Sequence, residues 1–252
     1  MTLADLSKAA ILACLLPGHI LLGADETVPP LRRLTIGIHV EYFPTDLLNT
    51  RYVIQIPPNA NPPTQYNYYA SSDSSKWAPG AVVEYRLTEH VSLAGELHFH
   101  HANYQVTTDI LTGINTSTTN VDNRPLTTIV ETTQANFWEY PFLVHYYGLL
   151  KHGRLRRTYL TGGLEWRHVG KIRTGNDFTY SDASTYYNEV PAIPHNVNVA
   201  GAVVGVGFRL VDDFHIRVTP EMRLIRWLGN SLQGPAYQTV ANQLEAGIGI
   251  SF

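Results

Sequence analysis

The chain has 252 residues, of which 44% are hydrophobic, 15% charged and 11% aromatic, and its formal net charge is −3. This length allows one large β domain or two small domains. No long basic run occurs, so we expect no nucleic-acid partner. The single cysteine, Cys14, precedes the rest of the chain, which excludes disulfides and thiolate metal sites from the later sequence. No later stretch is apolar over eighteen or more residues, so no transmembrane helix is predicted.

Residues 1–24 have the pattern of a secretory signal peptide. Lys8 supplies a positive charge, an apolar stretch follows, and small residues provide a cleavage site. An amphipathic N-terminal helix is an alternative, as is a lipoprotein signal at Cys14. Residues 25–30 are then a spacer, and residues 31–252 form one folded domain.

Apolar and polar residues alternate strictly at the end of the chain. A period of two predicts a β-strand with one apolar face. The apolar residues of this last stretch are Leu244, Ala246, Ile248, Ile250 and Phe252. Seven earlier stretches show the same pattern. The eight predicted strands cover residues 34–42, 81–87, 91–100, 138–147, 160–167, 202–210, 216–225 and 244–252.

The predicted connections alternate between long loops and short turns. The long loops cover residues 44–76, 107–131, 172–196 and 228–241, and the short turns lie near residues 88–90, 148–157 and 212–213. Together with the strands, this predicts an all-β fold, an eight-stranded antiparallel up-and-down transmembrane β-barrel. Both termini then lie on the periplasmic side and the long loops are extracellular. Because proline lacks a backbone donor, we expect a bulge or a local break at Pro141 and Pro220.

The polar faces of these strands carry charges and glycines but almost no lysine. A water-facing surface is normally rich in lysine, whereas a narrow interior favours small residues beside paired charges. We therefore predict that the apolar faces meet lipid and that the polar faces form a network in the lumen. A soluble barrel with the opposite facing is the alternative. The predicted network consists of Glu41, Glu84, Arg86, Glu96, His98, His100, Glu139, His145, Glu165, Arg167, Arg209, Arg217, Glu221, Arg223 and Glu245.

Three stretches carry a resemblance to a known family: residues 138–144, residues 220–227, and the closing strand with its terminal Phe252. The sequence over residues 31–252 resembles the bacterial outer-membrane β-barrel family, with the eight-stranded OmpA/OmpX-type domain as its architecture. The resemblance implies an outer-membrane location and contact with outer-membrane lipid and lipopolysaccharide. It also implies that the barrel-assembly machinery reads the C-terminal strand through Phe252. Fold alone does not supply a function.

Histidines are the strongest candidates for site chemistry. His98, His100 and His101 lie close together in sequence, and Glu96 is beside them, so a zinc site is geometrically possible. Hydrogen bonding in a polar lumen is the simpler interpretation, as it is for His39 and His145. We therefore predict no metal and no cofactor.

An eight-stranded barrel leaves an interior just wide enough for side chains, which favours a filled lumen over a conducting one. Ser92 shares a strand face with Glu96 and His98, but no hydrolase motif surrounds it, so no catalytic residue is predicted. We predict an integral outer-membrane protein with a structural or surface-interaction role. A lipid A-modifying enzyme and a small-solute pore are the alternatives. The tyrosine-rich loops could contact a surface partner, whose identity the sequence does not indicate.

Overall fold

The computed structural model describes residues 33–118, 122–147, 158–211 and 216–252. The predicted signal peptide (1–24), the spacer (25–30) and the turns at 148–157 and 212–213 lie outside the described residues. Within the described ranges, no helix is long and apolar enough to cross a membrane.

The described part of the chain contains fourteen β-strands. They are β1 (Leu34–Tyr42), β2 (Leu48–Thr50), β3 (Val53–Gln55), β4 (Thr64–Ser72), β5 (Trp77–Arg86), β6 (Val91–Thr112), β7 (Leu126–Tyr147), β8 (Thr158–Thr179), β9 (Thr185–Val190), β10 (Asn198–Phe208), β11 (Leu210–Val211), β12 (Arg217–Trp227), β13 (Tyr237–Thr239) and β14 (Asn242–Ser251).

Eight of these strands close into a ring of antiparallel pairs. Each ring strand pairs with the next one along the chain, in the order β1, β5, β6, β7, β8, β10, β12 and β14. The ring closes where β14 pairs with β1, from Gly37 opposite Ser251 to Tyr42 opposite Ala246. The predicted all-β class, the eight strands and their antiparallel order are therefore confirmed.

The two faces of the ring differ sharply in burial. Successive side chains on a strand point to opposite sides. The outward residues are apolar and exposed; Ile38 on β1 is 58% exposed and Val204 on β10 is 59% exposed. The inward residues include most of the charges of these strands; Glu41 on β1 and Arg223 on β12 are buried. The apolar side chains of the ring strands are thus largely on the outside of this fold.

The four long loops predicted from the sequence contain further strands, which is a correction. Strands β2, β3 and β4 lie within residues 44–76, and β13 lies within 228–241. Within 107–131 and 172–196, β6, β7 and β8 continue to 22 residues each, and β9 pairs with the end of β8. Threonine and tyrosine are abundant in these segments, and both favour extended sheet structure. Their polarity suggested loops, but their strand propensity fits the observed fold better.

Both prolines interrupt the strand pairing on one side without shifting its register. Beside Pro141, the β6–β7 pairs skip from Gly95–Phe142 to His98–Glu139, while β8 stays paired on the other side. Beside Pro220, β10 ends at Phe208 and pairing with β12 resumes at Leu210, which pairs with Val218. The predicted local breaks are confirmed. The register shift in β7 lies elsewhere, between Ala135 and Phe137.

An apolar cluster packs inside the extended ends of β6, β7 and β8. It consists of Leu47, Leu48, Ala102, Tyr104, Val106, Ala135, Phe137, Val169 and Leu232. The segments around β2 and β13 supply Leu47, Leu48 and Leu232, so these connecting segments fold over this end of the ring. The Tyr104 hydroxyl lies 3.3 Å from that of Tyr237, and burial raises the pKa of Tyr104 far above its usual range. This end is therefore closed by packed side chains.

Candidate functional site: the charged interior of the ring

Arg223 is the centre of the charged interior. Its guanidinium contacts three buried carboxylates: Nη1 lies 3.0 Å from Glu41 Oε1, Nη2 lies 2.6 Å from Glu96 Oε1, and Nε lies 2.9 Å from Glu221 Oε1. The Tyr159 hydroxyl donates to Glu221 over 2.9 Å. These groups come from four strands of the ring, so this one network links half of its eight strands.

Two histidines join the same network. His39 Nδ1 lies 3.0 Å from Glu96 Oε2, and His98 Nε2 lies 2.9 Å from the same oxygen. The other ring nitrogen of His98 faces Glu41 Oε2 at 3.4 Å. All four side chains are buried. His39, which the sequence placed on the polar face only in passing, is thus an equal member of this cluster.

Arg167 organises a second group of residues. Its guanidinium lies 2.6 Å from Glu139 Oε1 and donates to Gln243 over 2.8 Å. The indole of Trp227 packs 3.8 Å from the guanidinium carbon, which is a cation–π geometry, and its N–H donates to Gln243. His100 is more distant, with Nδ1 at 3.9 Å from Glu139. Trp227 and Gln243 escaped prediction because neither is charged, although both lie in the inward register.

A third group surrounds Glu84 near the opposite end of the ring. Arg209 Nη2 lies 2.6 Å from Glu84 Oε1, and the hydroxyl of Tyr147 donates to the same oxygen over 2.9 Å. The Ser92 hydroxyl also donates to Glu84. Arg217 donates to the Thr35 hydroxyl over 2.8 Å and lies 3.9 Å from Glu84 Oε2, and His145 lies 3.7 Å from Glu84 Oε1. The structure thus brings most of the predicted residues at this end into one group.

Arg86 is a predicted network residue that lies outside these groups. Its guanidinium donates to the backbone carbonyls of Thr88 and Glu89, in the turn that follows β5. Arg86 is the last residue of β5, so its side chain can reach the backbone carbonyls of the following turn. Arg86 therefore closes a turn in this fold.

Glu165 and Glu245 are buried with almost no hydrogen-bond partners. Both oxygens of Glu165 lack one among the described residues, and Glu245 accepts from Gln243 through one oxygen over 3.1 Å. Arg223 lies directly opposite Glu245 in the β12–β14 register, yet it bonds to other carboxylates. Pairing charges by strand register alone would join Arg223 to Glu245, which is not the contact that forms.

Free space in the interior is small. A cavity of about 20 Å³ lies between the Arg223 network and the Glu84 group, lined by His39, Glu96, Tyr147, Tyr159 and Thr219, among others. That volume holds one or two water molecules. Charged side chains of several strands line this cavity, so the arrangement is suited to holding the strands together.

Ser92 does not form a nucleophile–base pair with His98 or His100. The hydroxyl of Ser92 bonds to Glu84, whereas His98 bonds to Glu96 and faces Glu41. His100 donates through Nε2 to the backbone carbonyl of Ser75 over 2.8 Å and stacks on the ring of Phe43. Nucleophile and base must lie within hydrogen-bond reach of each other, and these groups have other partners.

Comparisons with known proteins leave the site to be interpreted from its own geometry. No family model matches the sequence, and no curated protein matches it significantly.

Aromatic side chains also cover the sheet that extends beyond the ring. Tyr52 stacks on Tyr69 with ring centroids 4.7 Å apart, and Tyr66 stacks on Tyr68 at 6.2 Å. The short strand β9 at the edge of this sheet is exposed along its whole length. This face offers aromatic rings and an exposed strand for contact.

Proposed function

We propose that the chain is an integral protein of the bacterial outer membrane, an eight-stranded β-barrel with a structural or surface-interaction role. The observation that carries the proposal is the facing of the ring: apolar side chains are exposed outside, and charged side chains are buried inside. Water would make this arrangement unfavourable, because exposed apolar area lowers stability and invites association. A hydrocarbon surrounding makes the same surface favourable.

The height of the apolar surface supports this proposal. On β1 it runs from Leu34 to Tyr42, which is nine residues. A transmembrane β-strand needs about 9–11 residues. Aromatic pairs lie at one border of the surface: Tyr42 packs 4.8 Å from Trp77, and Phe99 packs 5.1 Å from Trp138. Aromatic residues of this kind form the interfacial girdles of membrane barrels.

The filled interior supports a structural role over conduction. Arg223 and its three carboxylates cross the lumen, and the apolar cluster closes one end. The cavity of about 20 Å³ holds one or two water molecules. A small-solute pore would require these side chains to move apart, and no feature of the described residues favours that.

The sheet that extends beyond the girdle supports a surface-interaction role. In the proposed orientation the long connections are extracellular, so the stacked tyrosines and the edge strand β9 face the outside of the cell. Aromatic residues are frequent at binding hot spots. Loops and edges positioned by a rigid scaffold commonly carry binding functions.

The test places an arginine on the outer face. Arginine near the middle of a bilayer costs about 2–4 kcal/mol in a membrane barrel, so we expect Val204→Arg and Val206→Arg each to lower stability by that amount in lipid vesicles. Val190→Arg is the matched control, because Val190 is exposed on β9, and β9 pairs with β8 well beyond the girdle. Equal tolerance of all three variants would contradict membrane insertion.

A further inference from the structure

Four potential metal ligands meet inside the ring. His39 and Glu41 are two residues apart on β1, and Glu96 and His98 are two residues apart on β6. One ligand atom from each lies within 4.8 Å of the others, and all four side chains are buried. Imidazole and carboxylate are common ligands of zinc.

Glycines make room for the two histidines. Gly80 on β5 lies between them and pairs with His39 on one side and with His98 on the other. A Cβ atom at Gly80 would lie 2.6 Å from His98 Nδ1, and one at Gly247 would lie 2.3 Å from His39 Nε2. Any other residue at these positions would displace a ring. The backbone is therefore adapted to hold both imidazoles together.

Two atoms of the cluster have unmet bonding capacity and face each other. His98 Nδ1 and Glu41 Oε2 are buried, have no hydrogen-bond partner, and are 3.4 Å apart. The other nitrogen of His98 already bonds to Glu96. A neutral imidazole has a single N–H, so one of its nitrogens must present a lone pair to a carboxylate. A cation bound between His98 Nε2 and Glu96 Oε2 would remove that repulsion and leave the single N–H on Nδ1, where it faces Glu41.

The atoms around Glu96 Oε2 are close enough to share a metal. Zinc–nitrogen and zinc–oxygen bonds are about 2.0–2.2 Å long, so neighbouring ligands of a tetrahedral ion are roughly 3.3–3.5 Å apart. His39 Nδ1 and His98 Nε2 lie 3.0 and 2.9 Å from Glu96 Oε2, so a small opening of these two contacts would admit the ion in place of the shared protons. The charges fit as well, because three buried carboxylates surround the one guanidinium of Arg223. Two negative charges are thus left over, and a divalent ion would neutralise them.

We propose that His39 Nδ1, Glu96 Oε2 and His98 Nε2 bind one divalent transition-metal ion, with zinc as the best match. Glu41 faces the other nitrogen of His98, and Arg223 donates to Glu41 Oε1 and to both oxygens of Glu96, so these two residues would orient the ligands, as partners of metal ligands commonly do. The small cavity lined by His39 and Glu96 provides an approach from the Glu84 end. The ion would tie β1 to β6 across the ring.

The test uses the full chain refolded into lipid vesicles, equilibrated with zinc chloride and freed of unbound metal. We expect about one zinc per chain by mass spectrometry, and a visible absorption band typical of tetrahedral Co²⁺ when cobalt replaces zinc. The double variant His39→Gln/His98→Gln should lose both signals. The matched control, His100→Gln/His145→Gln, removes two other buried histidines and should keep them.

Zinc should also stabilise the folded protein. At a zinc concentration about 100 times the dissociation constant, the unfolding equilibrium constant should fall roughly 100-fold, and only for chains with the three ligands. Failure of the wild-type chain to retain zinc or to show the cobalt band would overturn the proposal, and would indicate that protons neutralise the cluster. These two measurements decide the question even if the double variant does not fold.

Discussion

The ion pair of Arg167 and Glu139 gives a direct test of how dry the interior is. Both side chains are almost fully buried, and the guanidinium donates to Glu139 through Nε over 2.7 Å. The second oxygen of Glu139 has no hydrogen-bond partner among the described residues. Replacing Arg167 with methionine keeps much of its apolar volume. Among the described residues it leaves Glu139 without a basic partner closer than His100, whose Nδ1 lies 3.9 Å away.

The expected cost of Arg167→Met follows from this geometry. Removing one partner of a buried ion pair costs about 3–5 kcal/mol, because the other charge stays buried and uncompensated. This corresponds to an unfolding constant roughly 100-fold to several thousand-fold larger. The double variant Glu139→Gln/Arg167→Met removes both charges. It should lose mainly the cation–π contact with Trp227, which contributes about 1–2 kcal/mol.

The assay is a double-mutant cycle on urea unfolding in lipid vesicles, followed by tryptophan fluorescence. We expect Arg167→Met to lower the free energy of unfolding by about 2 kcal/mol more than the double variant does. If the two single variants are each mild and their effects add up to that of the double variant, water reaches the pair. The reasoning about a dry, filled lumen would then be wrong.

Two further predictions concern packing and chemistry. Gly80→Ala should destabilise the protein by about 1–3 kcal/mol in the same unfolding assay, because the new methyl group overlaps the ring of His98. Gly95→Ala is the matched control and should be nearly neutral, because the space around its Cβ position is open. Replacing Ser92 with alanine or His98 with glutamine should leave lipid A composition unchanged by mass spectrometry, and loss of a lipid modification in folded variants would favour the enzyme alternative.

Much of the fold was predictable because one signal governs it. Alternation with a period of two gave every ring strand and its inward face. The extensions of β6, β7 and β8 beyond the ring were missed, since their threonine-rich sequence lacks an apolar face on which alternation can be recognised. A segment with polar residues on both faces is predicted to be a loop unless strand propensity is considered. Trp227 could be placed in the inward register, but its role beside Arg167 needed the three-dimensional packing.

The partners of the interior charges were beyond prediction for a geometric reason. In an open sheet, a charge meets residues directly across the ladder on neighbouring strands, which would join Arg223 to Glu245. In a closed ring of eight strands the far wall is also within reach of an arginine side chain, and Arg223 bonds to Glu41 and Glu96 there. Removing Arg223 together with Glu221 therefore still leaves two buried carboxylates without their cation. Arg167 has one carboxylate partner, so its cycle isolates a single interaction, whereas a cycle on Arg223 and Glu221 would measure the whole network.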